Sequence, residues 1–378
     1  MSQETSLDEA TRDAVAACRR ELPASVRPPR TVLGFDGFVD NVRRVIDERT
    51  TAESFEPMTE LGAFGERIAA SADDRSSITV EWTREGTRTG GLTCHLARAF
   101  IGLGASPVMI GAYGNPELDV FADEFATATR HSFGAPNYTE AVEFDDGKLL
   151  VTETGATRTL DWETLTDAVG VETLADALDG ADALGIGYWV VIPELPSVLT
   201  GLRESVWPTL ADPPETVLLD PGDVRQLSDD ILAEGIDPIR AFADVAPVTL
   251  SANRAEMGRL AAAVGTESSS LSAAATAVRD GLGLRRAVAH GDDVSVAAGP
   301  DGIASVAVPT VDDPAMTTSA GDHFNVGLLL GLAVGLSDPA AVCLGNVVAG
   351  HFVRNGAPPD EAALRAFLDG YLDAFSDR

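Results

Sequence analysis

Short, mostly apolar blocks recur along this chain at positions 31–35, 107–113, 183–188, 216–219, 245–251 and 286–290. Each has the length of a buried strand, and the segments between them are long enough for helices. That alternation predicts a mostly parallel sheet with helices on both faces. Residues 7–22 form an amphipathic pattern ahead of the first block, and the apolar run 326–336 predicts a buried helix. Residues 141–154 alternate around Asp146-Gly147, as a hairpin does, with Lys148 in its turn. Residues 41–89 are polar and mixed, with an alternating stretch at 77–82. No internal repeat or low-complexity linker interrupts the pattern. In sheets of this kind, sites collect at the carboxyl ends of strands. Asp40, Asn253, Gly291 and Asp322 all follow predicted strands.

Composition narrows the picture. The chain has 378 residues and a formal net charge of −32, spread along its length, and Lys148 is its only lysine. This predicts a hydrated acidic surface like that of proteins from salt-rich, haloarchaeal-like cytoplasm. Molar salt shortens the screening length to about 3 Å. Without a basic stripe, nucleic-acid binding is disfavoured. A Walker A loop needs a lysine after its glycines, and Lys148 is not so placed. Cys18, Cys94 and Cys343 have no disulfide or zinc spacing, so buried reduced thiols are expected. No secretory h-region or bilayer-length apolar run is present, which predicts a cytoplasmic protein without a membrane partner.

The densest chemistry lies at Thr317-Thr318-Ser319-Ala320-Gly321-Asp322-His323-Phe324-Asn325-Val326-Gly327. Small and hydroxyl residues precede the apolar run, placing Asp322 in the first turn of its helix. A helix start offers unpaired N–H groups and the positive end of the peptide dipoles, which suits a transferring phosphoryl group. Asp322 beside it could take a proton from an attacking hydroxyl. An acidic cap on a core helix is the competing explanation.

This segment resembles the second signature of the ribokinase (PfkB) family of sugar and nucleoside kinases, a Gly-Ala-Gly-Asp run in which Ser319 here replaces the first glycine. Three further matches follow in family order. Thr89-Gly90-Gly91 through Leu103-Gly104 is similar to the first signature, Asn253-Arg254-Ala255-Glu256 to the Asn-x-x-Glu motif, and Gly34-Phe35-Asp36-Gly37-Phe38-Val39-Asp40 to the stretch carrying a substrate-binding Asp. The resemblance implies a single ribokinase-like domain over 1–378: a three-layer α/β/α sandwich with a mostly parallel central sheet and a small β-sheet lid, drawn from about 41–89 and 138–162.

It also implies an ATP-dependent kinase acting on a sugar or sugar derivative. Asp322 would be the base, and Ser319, Ala320 and Gly321 would frame the anion hole. Asn253 and Glu256 would hold Mg2+ largely through water, while Gly291 and Asn346 would lie near the nucleotide. Asp40, or else Asp36, would bind sugar hydroxyls together with Gly90 and Gly91. Arg158 sits where lid segments bring a basic residue to substrate, a surface ion pair being its alternative. Lids of this kind often make homodimer contacts.

Three departures stand out. Met316 occupies the place of an Asp that contributes to a monovalent-cation site, which puts potassium activation by that route in question. His95 replaces an Asn that contacts the sugar, and either takes over that contact or is a structural helix histidine. Leu92-Thr93 alters the pair after Gly90-Gly91, so the acceptor pocket differs from that of ribose-type enzymes. Other readings within the fold are a nucleoside kinase, with Phe38 and Trp82 as a clamp, an ADP-dependent sugar kinase, and a non-catalytic sugar or nucleotide sensor.

Overall fold

A computed structural model of the protein describes residues 8–52 and 54–375. Its strands, in chain order, are β1 (Thr31–Gly34), β2 (Phe38–Arg49), β3 (Phe55–Pro57), β4 (Trp82–Gly90), β5 (Val108–Gly111), β6 (Thr129–Ser132), β7 (Asn137–Glu143), β8 (Lys148–Glu153), β9 (Ala183–Gly187), β10 (Thr216–Asp220), β11 (Val248–Asn253), β12 (Arg286–His290), β13 (Val294–Gly299) and β14 (Gly302–Ala307). Nine make one sheet in the order β14-β13-β12-β11-β10-β9-β1-β5-β6. Every pair from β6 to β12 is parallel, and β13 and β14 close the far edge antiparallel.

The apolar blocks are buried on both sides because alternate rows feed different cores. Val32, Leu184 and Val217 lie in one register row and pack with helices Leu195–Gly201, Asp229–Ala243, Arg254–Ala263 and Leu271–Leu282. The next row, with Leu33 and Leu218, faces helices Glu9–Glu21, Leu92–Gly102, Ala320–Ala333 and Asp338–Asn355. The result is the expected three-layer α/β/α arrangement. The first helix buries Ala14, Val15 and Cys18, and the Asp8 carboxylate caps its start by accepting from Thr11 N at 2.9 Å. Residue 7 of the amphipathic pattern, and the chain ends at 1–7 and 376–378, lie outside the described residues. The helices Ala320–Ala333 and Asp338–Asn355 approach closely at Gly327, where a Cβ would stand 2.3 Å from the Leu344 carbonyl oxygen.

The second sheet runs β3-β2-β7-β8, with β4 on β2. β7 and β8 form the hairpin expected around Asp146-Gly147, although Lys148 opens β8 instead of sitting in the turn. Helix Leu61–Asp73 closes a small separate core of Val45, Met58, Phe64, Val142 and Phe144.

Three local expectations change. Alternation at 77–82 predicts a strand, but the β2–β4 ladder ends at the Val45–Trp82 pair, leaving residues 77–81 outside it. Residues 245–247 end the turn after the Asp229–Ala243 helix, and β11 starts only at Val248. Asp40 lies within β2 of the small sheet; Asp36 is the residue in the loop after β1.

Candidate active site

Helix Ala320–Ala333 begins at the rim of the large sheet, and its whole length is apolar enough to be buried. The residue before it, Ser319, takes φ 68°, the left-handed region that disfavours side chains. No side chain caps this start. The Ala320 N–H is donated to Thr317 O at 3.2 Å, whereas the N–H groups of Gly321 and Asp322 have no acceptor among the described residues. Both residues line a cavity of about 340 Å³. The sequence therefore leaves two backbone donors, with the helix dipole behind them, at a solvent-filled cleft.

The Asp322 carboxylate is buried at the same place. Burial lifts its pKa to about 6, against hydrogen bonds from Tyr188 and Ser319 that pull it down. The Tyr188 hydroxyl donates to Asp322 Oδ1. On the other side His95 Nε2 stands 3.9 Å from Asp322 Oδ2. A group with this pKa is mostly ionised at neutral pH yet basic enough to accept a proton.

Across the cavity, Asn253 caps helix Arg254–Ala263 in a capping box. Its Oδ1 accepts from Ala255 N and Glu256 N, and Glu256 Oε2 accepts from Asn253 N at 2.8 Å. The helix-cap explanation of this motif thus describes part of the geometry, but Glu256 is only 7% exposed and faces the cleft. Burial raises its pKa. Asp220 and Asp223 line the same cleft, and burial followed by the nearby Asp322 pushes Asp220 well up. Asp220 and Glu256, buried and mutually repelling, offer oxygens suited to a hard divalent cation, with the partly exposed Asp223 beside them. The capping box takes both lone pairs of Asn253 Oδ1 and one on each Glu256 oxygen, so Glu256 keeps acceptor capacity toward the cleft. No group of three acidic, His or Cys side chains among the described residues could grip a metal directly.

A second helix start lies beside the loop after β1. Gly91, at φ 90°, precedes helix Leu92–Gly102, and a Cβ there would meet Asp36 Oδ2 at 2.5 Å. The Asp36 carboxylate accepts from Leu92 N at 2.8 Å and Thr93 N at 2.9 Å. Burial pushes its pKa up to about 7, opposed by its bonds to Thr93 and Leu92. Asp36 is therefore committed to capping this helix. Asp40 lies over Gly90, with Oδ2 2.5 Å from where a Cβ would be. Burial raises its pKa, and Arg88 and Thr139 oppose the rise. His95 projects from the Leu92–Gly102 helix toward Ser319, its Nε2 3.0 Å from the Ser319 hydroxyl.

The cavity thus brings together Ser319, Gly321, Asp322, Asn253 and Glu256 of the expected residues. Ala320, Gly90, Gly91, Asp36, Asp40 and His95 stand outside its lining. Gly291 follows β12 in the loop beside Arg254. Asn346 is buried and engaged at both ends, accepting from Ser295 Oγ at 2.7 Å and donating to Val306 O at 3.4 Å. Arg158 is exposed and has no ion-pair partner among the described residues. Phe38 and Trp82 cannot clamp one base: they pair with Gly90 and Val45 respectively. They are thus separated by seven strand positions, roughly 23 Å.

Tyr188, Asp220, Asp223 and His290 also line the cleft, and sequence reading did not single them out. Their signal was positional: Tyr188, Asp220 and His290 stand at or just after the carboxyl ends of β9, β10 and β12, where such sheets build sites.

A family model described as prokaryotic ketohexokinase matches residues 7–371. The chain is 46% identical over 368 residues to a ketohexokinase of Haloferax volcanii, covering 97% of this chain and 98% of that one. Among solved structures it superposes on phosphofructokinase-2 of Escherichia coli in complex with substrates and products (TM-score 0.62, 18% identity, 91% of this chain and 99% of that one). It also superposes on ribokinase of Thermotoga maritima (TM-score 0.60, 17% identity, 91% and 100%).

Proposed function

Because this chain belongs to the prokaryotic ketohexokinase family, carbohydrate kinases of ribokinase type, we propose that it transfers the γ-phosphate of ATP to a primary hydroxyl of a ketohexose. The observation that carries this reading is the meeting, at one cavity, of a buried carboxylate with pKa about 6 and a helix start whose N–H groups are unspent. Asp322 accepts the proton of the attacking hydroxyl. The N–H groups of Gly321 and Asp322 bind the transferring phosphoryl oxygens, so charge that builds in flight meets fixed donors.

Glu256 and Asn253, with Asp220 and Asp223 at the same cleft, would hold Mg2+ through water. The ion supplies positive charge across the phosphates when bound. The nucleotide extends along the β11–β12 side, past Gly291. Asp40, Gly90 and Gly91 bound the sugar end, and the small sheet, drawn from the 41–89 and 138–162 segments, acts as the lid that excludes water. Tyr138 and Val151 are exposed on one face of that sheet, where a second copy could pack. Arg158 reaches from the lid segment toward bound anions. Family membership speaks against the sensor and nucleoside-kinase readings.

The test is phosphoryl transfer in molar KCl from MgATP, with MgADP in parallel, to ketohexoses, aldohexoses, pentoses and nucleosides. Ketohexose-dependent turnover from ATP that disappears in Asp322→Asn is the expected result. Turnover with an aldose or nucleoside alone, or an Asp322→Asn variant keeping more than about a tenth of activity, overturns it.

A further inference from the structure

Among the described residues only Arg75 and Ser319 combine a side chain with positive φ. Strain of this kind persists where the surroundings hold it, and it gathers at functional sites. Ser319 is held from several directions. Its carbonyl accepts from the His323 backbone N at 3.1 Å and from the His323 ring Nδ1 at 2.8 Å, and that ring is stacked on Phe352. Its hydroxyl hydrogen-bonds His95 Nε2 at 3.0 Å, and Ser319 also pulls the pKa of the Asp322 carboxylate down.

The direction of these bonds follows from donor chemistry. Arg98 can only donate, so its contact with His95 Nδ1 at 3.1 Å makes Nδ1 an acceptor. Burial, then the nearby Arg98, keeps the imidazole neutral. Nε2 therefore carries the proton and donates to Ser319 Oγ, leaving the Ser319 hydroxyl hydrogen for Asp322. An imidazole protonated at Nε2 cannot withdraw the Ser319 proton, which excludes a serine nucleophile served by His95. Arg98 is itself anchored by Glu124 at 2.5 Å and by Thr89 O at 3.1 Å.

We propose that Arg98, His95 and Ser319 form a directed hydrogen-bond chain that fixes the Asp322 carboxylate for catalysis, making His95 and Ser319 positioning residues and not sugar ligands. Two of the departures from the ribokinase pattern, Ser319 and His95, are then one feature: each residue supplies the other's partner. The inference rests on Asp322 being the base. Besides this chain, Tyr188, Asp220, Asp36 and Glu256 bear on the Asp322 carboxylate, from β9, β10, the loop after β1 and the Arg254–Ala263 helix.

Glycine is the informative replacement at 319, because it relieves the positive φ while deleting the hydroxyl. Ser319→Gly should melt at the same or a higher temperature and yet lose about tenfold in kcat at pH 7, as expected for removing a hydrogen bond to a charged group. KM for the ketohexose should stay within about twofold, and the acid limb of kcat should move to higher pH. His95→Ala should do the same. His95→Gln, which keeps an N–H donor at about the Nε2 position, should recover most of the loss. The Ser319→Gly/His95→Ala pair should be no slower than the worse single variant, because both cut one chain. Wild-type kcat and pH profile in Ser319→Gly overturn the proposal, as does a His95→Ala variant whose KM for the sugar rises more than about tenfold with an unmoved acid limb. Activity surviving in Asp322→Asn would sink the base assignment itself, so the two failures are distinguishable.

Discussion

Three helices among the described residues start after a residue of positive φ, Gly91, Gly170 or Ser319, and the first and last of them use their first turns in opposite ways. At Leu92–Gly102 the N–H groups are filled by the Asp36 carboxylate from the loop after β1. At Ala320–Ala333 the N–H groups of Gly321 and Asp322 stay unfilled, and the Asp322 carboxylate belongs to the helix and faces the cleft. The electrostatics of the two starts are alike, so the difference lies in occupancy. A helix start already holding an anion contributes to the fold, whereas one held open is free to bind a ligand. Glycine and serine mark the same distinction. Gly91 lets Asp36 come close, while Ser319 accepts strain to place a hydroxyl beside Asp322.

The comparison can be broken at either end. Asp322→Asn should cost about 10²–10⁴ in kcat with an unchanged melting curve, since it removes the proposed base and leaves the helix start intact. Asp36→Ala should act oppositely. Leaving the Leu92 and Thr93 N–H groups buried without an acceptor should cost roughly 2–5 kcal/mol of stability, read as a lowered denaturant midpoint in molar KCl. Gly91→Ala should cost about 1–3 kcal/mol by the same assay, through its φ of 90° and the Cβ pressed on Asp36.

The smallest effect tests how Asp322 is tuned. With a folded-state pKa raised to about 6, its base form is lost as pH falls, so wild-type kcat should decline on the acid side around pH 6. Tyr188→Phe removes a donor to the ionised form, so the proton is held to higher pH. The limb should move up, with kcat at pH 7 falling about tenfold or less. A limb that stays in place would mean Tyr188 does not tune the base.

Much of this was legible in the sequence because it is local. The 317–327 segment carries its small residues, its carboxylate and its apolar helix within one stretch, and the strand blocks follow from composition alone. Asp36 and Asp40 were harder to separate, since both lie near one strand end. Only the fold shows that Asp36 reaches residues 92 and 93, while Asp40 enters another sheet. The Ser319–His95 contact joins residues 224 apart, and each residue alone looks like a lapse from the family pattern. The surroundings of Asn346 were equally hidden: its amide bonds Ser295 and Val306 across the core, which no periodicity reveals.

Lys148 is the chain's only side-chain amine, and it opens β8 of the small sheet, 3.1 Å from Glu143. Cys18, Cys94 and Cys343 are all buried, so thiol reagents find little purchase on the folded protein. A fluorophore activated for amines would therefore label one side chain, on the sheet proposed to close over the sugar. High salt, which screens the Glu143 pairing, would favour the coupling. With the α-amine blocked beforehand, the surface poverty in lysine leaves one labelled side chain, whose dye would report on the small sheet while the large sheet stays unlabelled.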